Sequence, residues 1–271
     1  MSQELADLLD PLKLAAREAG EAILKVVRGG FAVESKADNS PVTEADRAAE
    51  AIILRALAST APGVPVIAEE EVAAGRIPVH GDEYFLVDPL DGTKEFARGG
   101  EDYTVNIGLI RQGVPVLGVV FSPAVDRLHF GFLGGDAALE EHSSRKEIRT
   151  RARPDRLVAV ASKSHLNRPT IDYLAAAVGD CEQVSIGSSL KFCLIAEGLA
   201  DFYPRLSPTM EWDTAAGHAI LLAAGGCVDG LGGTPLRYGK AGFLNRAFVA
   251  TSGWRAPALD PWIEESQLKA N

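Results

Sequence analysis

The sequence contains few cysteines and no long hydrophobic run. Its 271 residues include three cysteines, Cys181, Cys193 and Cys227, an odd number without a CxxC pair. This pattern argues against a disulfide framework and favours a reducing compartment; Cys193 lies in an apolar helical stretch, where we expect a buried thiol. No window approaches about 18 continuous apolar residues, so no transmembrane helix is predicted. The N-terminal stretch is amphipathic and acidic early, unlike a secretory signal peptide.

Positive charge is also scarce. Lys and Arg number 27 against 37 Asp and Glu, which gives a net charge of −10. A nucleic acid partner is therefore not expected, because phosphate backbones are bound by a surplus of Lys and Arg. A small phosphorylated substrate stays compatible with this charge, since a bound metal ion supplies positive charge locally. The sequence also lacks a P-loop, a GxSxG nucleophile elbow and a zinc-ligand spacing of Cys and His.

The hydrophobic pattern of the first half predicts two helices and a largely antiparallel sheet. Apolar residues at helical spacing predict helices over 3–28 and about 43–58. Strands are predicted over 64–70 and 84–88, followed by a three-stranded meander over 103–133.

The pattern changes after a polar, charged segment at 140–156, a candidate domain junction or a solvated loop. Beyond it, predicted strands and helices alternate, which is typical of a layered α/β arrangement. We therefore predict an α/β protein with an α+β domain over 1–150, expected to bind metal, and an α/β domain over 151–271, expected to bind substrate.

The most informative stretch is VDPLDGTKEF, residues 87–96. Asp88 and Asp91 lie three residues apart at the end of a predicted strand, and Gly92 and Thr93 follow at once. Two neighbouring carboxylates repel each other unless a cation neutralises them, and Mg²⁺ prefers carboxylate, water and phosphate oxygens. Gly92 permits close approach of the backbone to an anion, and the Thr93 hydroxyl is suited to orienting a water. The stretch therefore favours metal-assisted hydrolysis of a phosphate ester.

Two further acids lie at comparable places, and one alternative applies to the stretch itself. Glu69 in IAEEE and Asp213 in EWDTAAG stand where a strand ends and where a helix begins, the positions at which α/β proteins build sites. The alternative is an ordinary turn with Asp91 as a helix N-cap. The three-residue spacing differs from the DxD spacing of aspartyl-phosphate hydrolases.

These motifs also carry a family resemblance. IAEEE, DPLDGTKEF and EWDTAAGHA, in this order, resemble the three metal-site motifs of the inositol monophosphatase superfamily of Mg²⁺-dependent, lithium-sensitive phosphatases. KADNSPVTEAD, SKSH, GSSLKFCLIAEG and YPR resemble the 3′(2′),5′-bisphosphate nucleotidases within it, most closely the bacterial CysQ type. The resemblance extends from about residue 33 to residue 250. It implies a layered αβαβα sugar-phosphatase fold, two to three Mg²⁺ ions, and hydrolysis of adenosine 3′,5′-bisphosphate to AMP and phosphate in sulfur assimilation.

The resemblance also implies a role for each matching acidic residue. The metal ligands would be the side chains of Glu69, Asp88, Asp91 and Asp213 and the backbone carbonyl of Leu90, with Glu70 as the alternative to Glu69. Glu69 and the Thr93 hydroxyl would align the attacking water, and Asp46 would accept a hydrogen bond from Thr93. An alternative for Asp46 is a capping box with Thr43 at the start of the second helix.

Substrate recognition is assigned by the same resemblance. The implied substrate contacts are Gly92, Thr93, His165, Ser188, Lys191, Arg205 and Asp213, with Lys36 as a further candidate near a third metal ion. Lys191 lies three residues after Ser188, so on one helix both would face the same way. Together these groups favour a nucleotide over an inositol phosphate. His218, by contrast, is expected to be a packed core histidine.

Several alternatives stay open at this level. The 5′-phosphosulfate relative of adenosine 3′,5′-bisphosphate is a second candidate substrate. An inositol monophosphatase or another sugar-phosphate phosphatase is the alternative activity, and a non-catalytic metal or nucleotide sensor is a hypothesis of another class. We expect a cytoplasmic protein; peripheral association at the inner face of the bacterial membrane, as in some relatives, and the oligomeric state are left open.

Overall fold

A computed structural model describes residues 2–30, 34–35, 41–42, 44–142, 144–162 and 167–263. The helices in these ranges are α1 (Ser2–Gly29), α2 (Glu44–Thr60), α3 (Glu69–Ala73), α4 (Thr93–Ala97), α5 (Arg168–Val178), α6 (Leu190–Ala196) and α7 (Trp212–Ala223). The strands are β1 (Glu34–Ser35), β2 (Pro41–Val42), β3 (Val66–Ala68), β4 (Glu83–Asp91), β5 (Thr104–Arg111), β6 (Val114–Ser122), β7 (Arg127–Phe132), β8 (Ala137–Glu141), β9 (Ser144–Ile148), β10 (Val158–Ser162), β11 (Glu182–Ile186), β12 (Phe202–Arg205), β13 (Thr209–Met210), β14 (Cys227–Asp229), β15 (Leu244–Asn245) and β16 (Phe248–Thr251).

A seven-stranded sheet forms the first half of the molecule. Its strands follow chain order from β3 to β9, with β3 and β4 parallel and every later neighbour antiparallel. The central strands β5 and β6 are each buried at all positions but one, which is the pattern of a sheet covered on both sides rather than on one.

A five-stranded sheet forms the second half. Its strand order is β11-β10-β12-β16-β14, with β10 parallel to both of its neighbours and β16 antiparallel to β12 and β14. Two short ribbons, β1-β2 and β13-β15, complete the strands of the described residues.

Helices fill the spaces beside and between the two sheets. The α1–α2 pair packs on one face of the seven-stranded sheet, and α6 and α7 lie between its other face and the five-stranded sheet. Helix α5 packs on the outer face of the five-stranded sheet. The layers therefore follow the order αβαβα, which confirms the predicted fold class.

A row of three glycines lets α7 lie directly on the large sheet. Gly108, Gly118 and Gly131 are paired side by side across β5, β6 and β7. A Cβ atom placed on Gly118 would lie 2.1 Å from the backbone oxygen of Ala216 in α7, far inside van der Waals contact. The absence of side chains in this row therefore sets how closely α7, and the acid at its N-terminus, approaches the sheet.

The structure corrects three details of the predicted elements. The predicted strand 64–70 is a three-residue strand, β3, after which the chain enters α3, so that Glu69 begins a helix. The predicted strand 84–88 continues to Asp91. The polar segment 140–156 contains β9, the edge strand of the large sheet, whose exposed charged side chains explain its polarity. The division into two domains near residue 150 stays a prediction.

Candidate active site

A cavity of about 250 Å³ opens where the two halves of the molecule meet. It lies beside the carboxyl end of β4, the first residues of α3, α4 and α7, and the loop that precedes α6. The residues that line it are Glu69, Asp88, Leu90, Asp91, Gly92, Thr93, Lys94, Glu95, Ser162, Gly187, Ser188, Lys191, Phe192, Tyr203, Arg205, Thr209, Met210, Trp212, Asp213 and Thr214. The structure thus brings together nearly all the described residues that the sequence assigned to the site, from segments up to 144 positions apart along the chain (69 to 213).

An irregularity in β4 places the two aspartates of the DPLD stretch. The pairing between β4 and β5 shifts register between Asp88 and Asp91, because Pro89 has no N–H to contribute to the ladder. The Leu90 N–H donates to Asp88 Oδ1 at 3.0 Å, and Asp91 rejoins the sheet opposite Thr104. The alternative of a simple turn at this stretch is therefore wrong, since these residues belong to an irregular end of a strand.

The four acids lie close enough for their like charges to interact; Asp88 is buried, and the other three are partly exposed. Burial raises the pKa of Asp88 well above its usual range, and the neighbouring charges of Glu69, Asp91 and Asp213 raise it further. Burial likewise raises the pKa of Asp213, with Asp91 and Glu69 adding to the effect. Uncompensated carboxylates in such a place are unstable as anions. The negative charge of the four acids must therefore be balanced by a bound cation or by protonation.

The donor set fits a hard divalent cation, although the acids are not drawn together into a finished coordination shell. Among the described residues, no three His, Cys, Asp or Glu side chains stand close enough to share one ion. The fold itself holds one oxygen of each aspartate; Asp213 Oδ2, for example, accepts from the Met210 N–H at 2.9 Å. Carboxylates and a carbonyl are the oxygen ligands that Mg²⁺ takes.

Thr93 connects the acid cluster to helix α2. Its Oγ1 lies 3.0 Å from the carbonyl oxygen of Leu90 and 3.4 Å from Oδ1 of Asp46, which is 2% exposed. The single hydroxyl proton serves one of these acceptors at a time. The chain can reach this arrangement because Gly92 has a φ of 94° and its missing Cβ would lie 2.6 Å from the Asp102 carbonyl oxygen.

The geometry favours Glu69 over Glu70 as the acid that faces the cavity. Glu69 lines the cavity and acts on the pKa of Asp88. The backbone N–H of Glu70 donates at 2.8 Å to the carboxylate of Glu50, a buried acid of α2. Glu50 thus anchors the start of α3, an arrangement that no motif in the sequence indicated.

Two basic groups, Lys191 and Arg205, line the same cavity. Lys191 is 4% exposed, and its Nζ donates to the carbonyl oxygens of Ser188 at 2.5 Å and Ile186 at 3.4 Å. Burial lowers the pKa of Lys191 to about 8, against the opposing effect of Asp91. Arg205, at the end of β12, donates to the carbonyl oxygens of Ser207 and Pro208 at 3.2 and 3.3 Å. The cavity therefore contains cationic groups as well as acids, near enough for their charges to interact.

Ser188 and Lys191 meet in a different way from that predicted. The structure starts α6 at Leu190, so Ser188 is not on the helix; it has a φ of 50°, in the left-handed region. This backbone conformation turns the Ser188 carbonyl toward the Lys191 ammonium group. The expectation that both side chains share one helix face is wrong, although both residues do line the cavity.

Three of the residues named from the sequence lie outside the described ranges: Lys36, Thr43 and His165. The structure therefore tests neither the implied substrate contact of His165, nor the position of Lys36 near a third metal ion, nor the capping box. His218 is buried, its Nδ1 lies 3.0 Å from the Tyr238 hydroxyl, and burial lowers its pKa to about 3. The expectation of a packed core histidine is confirmed.

Sequence reasoning missed several residues of the cavity wall. Phe192, Tyr203, Met210 and Trp212 contribute apolar surface beside the charged groups. Ser189 and Asn106 were missed too, although they bond directly to Asp91. The serine stands in the GSSLKF motif, whereas Asn106 lies within an apolar strand where no local pattern distinguishes it.

The described residues include no helix that is both long and apolar enough to cross a membrane.

Comparison with known proteins gives close relatives along most of the chain. The 3′(2′),5′-bisphosphate nucleotidase CysQ of Salmonella typhimurium is 46% identical over 248 residues, which cover 90% of this chain and 99% of the relative. The protein of the same name from Escherichia coli strain K12 is 47% identical over 245 residues, covering 89% and 98%.

The solved structures that are similar to this chain are of the same kind as these relatives. The crystal structure of CysQ from Bacteroides thetaiotaomicron, described as a bacterial member of the inositol monophosphatase family, has a TM-score of 0.76 and 38% identity, covering 93% of this chain and 98% of the other. A Thermotoga maritima IMPase has the same TM-score at 25% identity. The model of the inositol monophosphatase family matches residues 4–265. The resemblance seen in the motifs is thus confirmed, and the chain belongs to the inositol monophosphatase family.

Proposed function

We propose that this protein is a Mg²⁺-dependent 3′(2′),5′-bisphosphate nucleotidase that removes the 3′-phosphate of adenosine 3′,5′-bisphosphate, giving AMP and phosphate. The observation that carries the proposal is the single cavity that joins four acids to Lys191 and Arg205. The relatives named as nucleotidases match almost their full length to this chain, which supports this substrate over an inositol phosphate.

The acids would hold the metal ions. The proposed ligands are Glu69, Asp88, Asp91, Asp213 and the carbonyl oxygen of Leu90. Enzymes of the family depend on Mg²⁺, and two or three ions are proposed for this chain. When bound, such ions polarise the phosphoryl group and favour ionisation of a water.

Thr93 and Asp46 would manage the proton of the attacking water. The Thr93 hydroxyl, 3.4 Å from Asp46 Oδ1, can accept a hydrogen bond from a water in the cavity while it donates to Asp46. Glu69, on the same wall, would align that water by accepting its second hydrogen bond. Orientation of the water against the phosphorus atom supplies much of the rate enhancement in such reactions.

The basic residues of the cavity would bind the rest of the substrate. Lys191 and Arg205 present cationic groups that suit a second phosphate on the ribose, with Ser188, Gly92 and the Asp213 carboxylate beside them. A nucleotide also presents an apolar base, for which Trp212 and Tyr203 offer aromatic surface. His165 stays a proposed contact, and Lys36 stays a candidate near a third metal ion. The corresponding 5′-phosphosulfate is the second substrate that these groups would accept.

The test is phosphate release from adenosine 3′,5′-bisphosphate, inositol 1-phosphate and fructose 1,6-bisphosphate, each with Mg²⁺, with EDTA and with added Li⁺. We expect Mg²⁺-dependent release that is fastest from the first compound. Faster release from inositol 1-phosphate would instead support an inositol phosphatase, and nucleotide binding without any release would support a sensor. Asp213→Asn should abolish release, whereas the matched control Asp229→Asn, on β14 and outside the cavity wall, should not.

We also propose that the reaction takes place in the cytoplasm. All three cysteines are free thiols, which suits a reducing compartment. Peripheral attachment to the inner face of the membrane and the oligomeric state stay predictions for fractionation and sizing experiments.

A further inference from the structure

We propose that Asn106 and Ser189 form a positioning pair that holds Asp91 and Asp213 in place for cation binding. The inference rests on the proposed function only in taking these two aspartates as metal ligands. Neither member of the pair touches the reacting atoms; Asn106 would act through the Asp91 carboxylate, and Ser189 through that carboxylate and the backbone carbonyl of Asp213.

The pair is wholly inside the protein and bonded to both ligands. Asn106, on β5, has no exposed surface, and its Nδ2 donates to Asp91 Oδ2 at 3.3 Å and to Ser189 Oγ at 2.9 Å. Ser189, directly before α6, is 1% exposed, and its Oγ lies 3.1 Å from Asp91 Oδ2 and 2.7 Å from the backbone oxygen of Asp213. One small polar unit therefore joins β4, β5, the start of α6 and the start of α7.

Counting protons shows where the donors of the pair are directed. The amide group of Asn106 has two N–H donors, one for Asp91 and one for Ser189. The Ser189 hydroxyl has a single proton, which serves either Asp91 Oδ2 or the Asp213 carbonyl, and the Ser189 backbone N–H also bonds to Asp91. The donors of the two side chains therefore go to the pair itself or to the two aspartates.

The acceptor side of Asn106 supports a functional reason for the amide. Its Oδ1 is buried and has no hydrogen-bond partner among the residues that the structure describes, which is costly in a core. An apolar residue on this strand would avoid that cost but would leave Asp91 Oδ2 with fewer donors. By fixing Oδ2, the pair leaves the other carboxylate oxygen to the cavity, and second-layer contacts of this kind orient ligands and tune affinity.

The test measures Mn²⁺ binding to the protein alone, without substrate, by electron paramagnetic resonance. We expect Ser189→Ala to weaken Mn²⁺ binding about tenfold, the usual scale for loss of a group behind a metal ligand. Ser189→Thr keeps the hydroxyl and should recover binding to within about threefold. The control is Ser122→Ala, a serine that is also fully buried and whose Oγ bonds to nothing in the described part of the protein; its Mn²⁺ affinity should equal that of the wild type.

The proposal is overturned if Ser189→Ala binds Mn²⁺ like the wild type, or if Ser122→Ala weakens binding as much. Asn106→Leu gives a second, independent variant with the same number of side-chain heavy atoms and the same branching, for which we also expect about tenfold weaker binding. If both Ser189→Ala and Asn106→Leu fail to fold by circular dichroism, the pair is a core element and the proposal is equally overturned.

A kinetic readout separates this inference from the proposed function. In Ser189→Ala, the Mg²⁺ concentration for half-maximal activity should rise while the KM for the nucleotide stays unchanged. If the wild type hydrolyses no nucleotide but Ser189→Ala still weakens Mn²⁺ binding, the proposed function fails and the positioning pair stands. If the wild type is an active nucleotidase and the variant binds Mn²⁺ normally, the proposed function stands and the positioning pair is overturned.

Discussion

Replacing Gly118 by alanine should both destabilise the protein and disable the active site. The new Cβ would lie 2.1, 2.8 and 3.0 Å from the O, C and Cα atoms of Ala216, and ordinary contact begins near 3.4 Å. Since these are backbone atoms of a helix, no side chain can rotate away, and α7 must retreat by about 1 Å. Overpacking of this kind costs about 1–3 kcal/mol, and we expect the upper end here.

The same shift should displace Asp213, which lies less than one turn before Ala216 on α7. Misplacement of a catalytic group by about 1 Å costs on the order of 100-fold in rate. The assays are urea denaturation for the free energy of unfolding and phosphate release for activity. Gly81→Ala is the matched control, because Gly81 has ordinary backbone angles and open space around its Cβ position. A loss below about 0.5 kcal/mol in Gly118→Ala would refute the reasoning.

Three further predictions concern the acids and their cations. Asp91→Asn should abolish phosphate release while preserving the free energy of unfolding of the metal-free protein, because it removes one of several buried like charges; any retained turnover would take Asp91 out of the site. Burial raises the pKa of Glu50 from 4.5 to about 7, so the folded state holds its proton to higher pH than the unfolded state, and metal-free stability should fall as pH rises from about 4.5 to about 7. Glu50→Gln should therefore stabilise the protein in EDTA at pH 8, by about 1–2 kcal/mol after allowance for solvent screening, and by little at pH 4.5; equal effects at both pH values would contradict this. Lithium at millimolar concentration should inhibit phosphate release, measured over a series of Mg²⁺ concentrations. Release that is insensitive to lithium in this series would contradict the metal assignment.

Much of the fold followed from local pattern. The long amphipathic helix, the antiparallel meander and the later alternation of strands and helices depend on periodicity that short windows contain. The predictions of secondary structure were wrong where tertiary contacts determine whether a segment forms a helix or a strand. Residues 69–73 form a helix because Glu50 binds the Glu70 amide, and the charged residues 144–148 form a strand because β8 supplies a partner.

The residues of the candidate site likewise fall into two groups: those that a local motif predicted and those that depend on tertiary contacts. The acids and Thr93 stand out because carboxylates beside a glycine and a hydroxyl form a compact local motif. Asn106 could not be found, since its role depends on Ser189, 83 residues away along the chain. Ser188 was placed on a helix because spacing alone does not reveal a left-handed residue before the first turn.

The middle layer has a consequence for the order in which the chain is synthesised. The large sheet is complete at Ile148, but the helix that covers its inner face, α7, begins only at Trp212. Until then the chain exposes the apolar side chains of that face: Ile67, Tyr84, Leu86, Ile110, Val120, Ala137, Leu139 and Ile148. A nascent chain that stops near residue 150 would therefore expose this apolar face to association with other chains, and the face is covered only after α7 has left the ribosome.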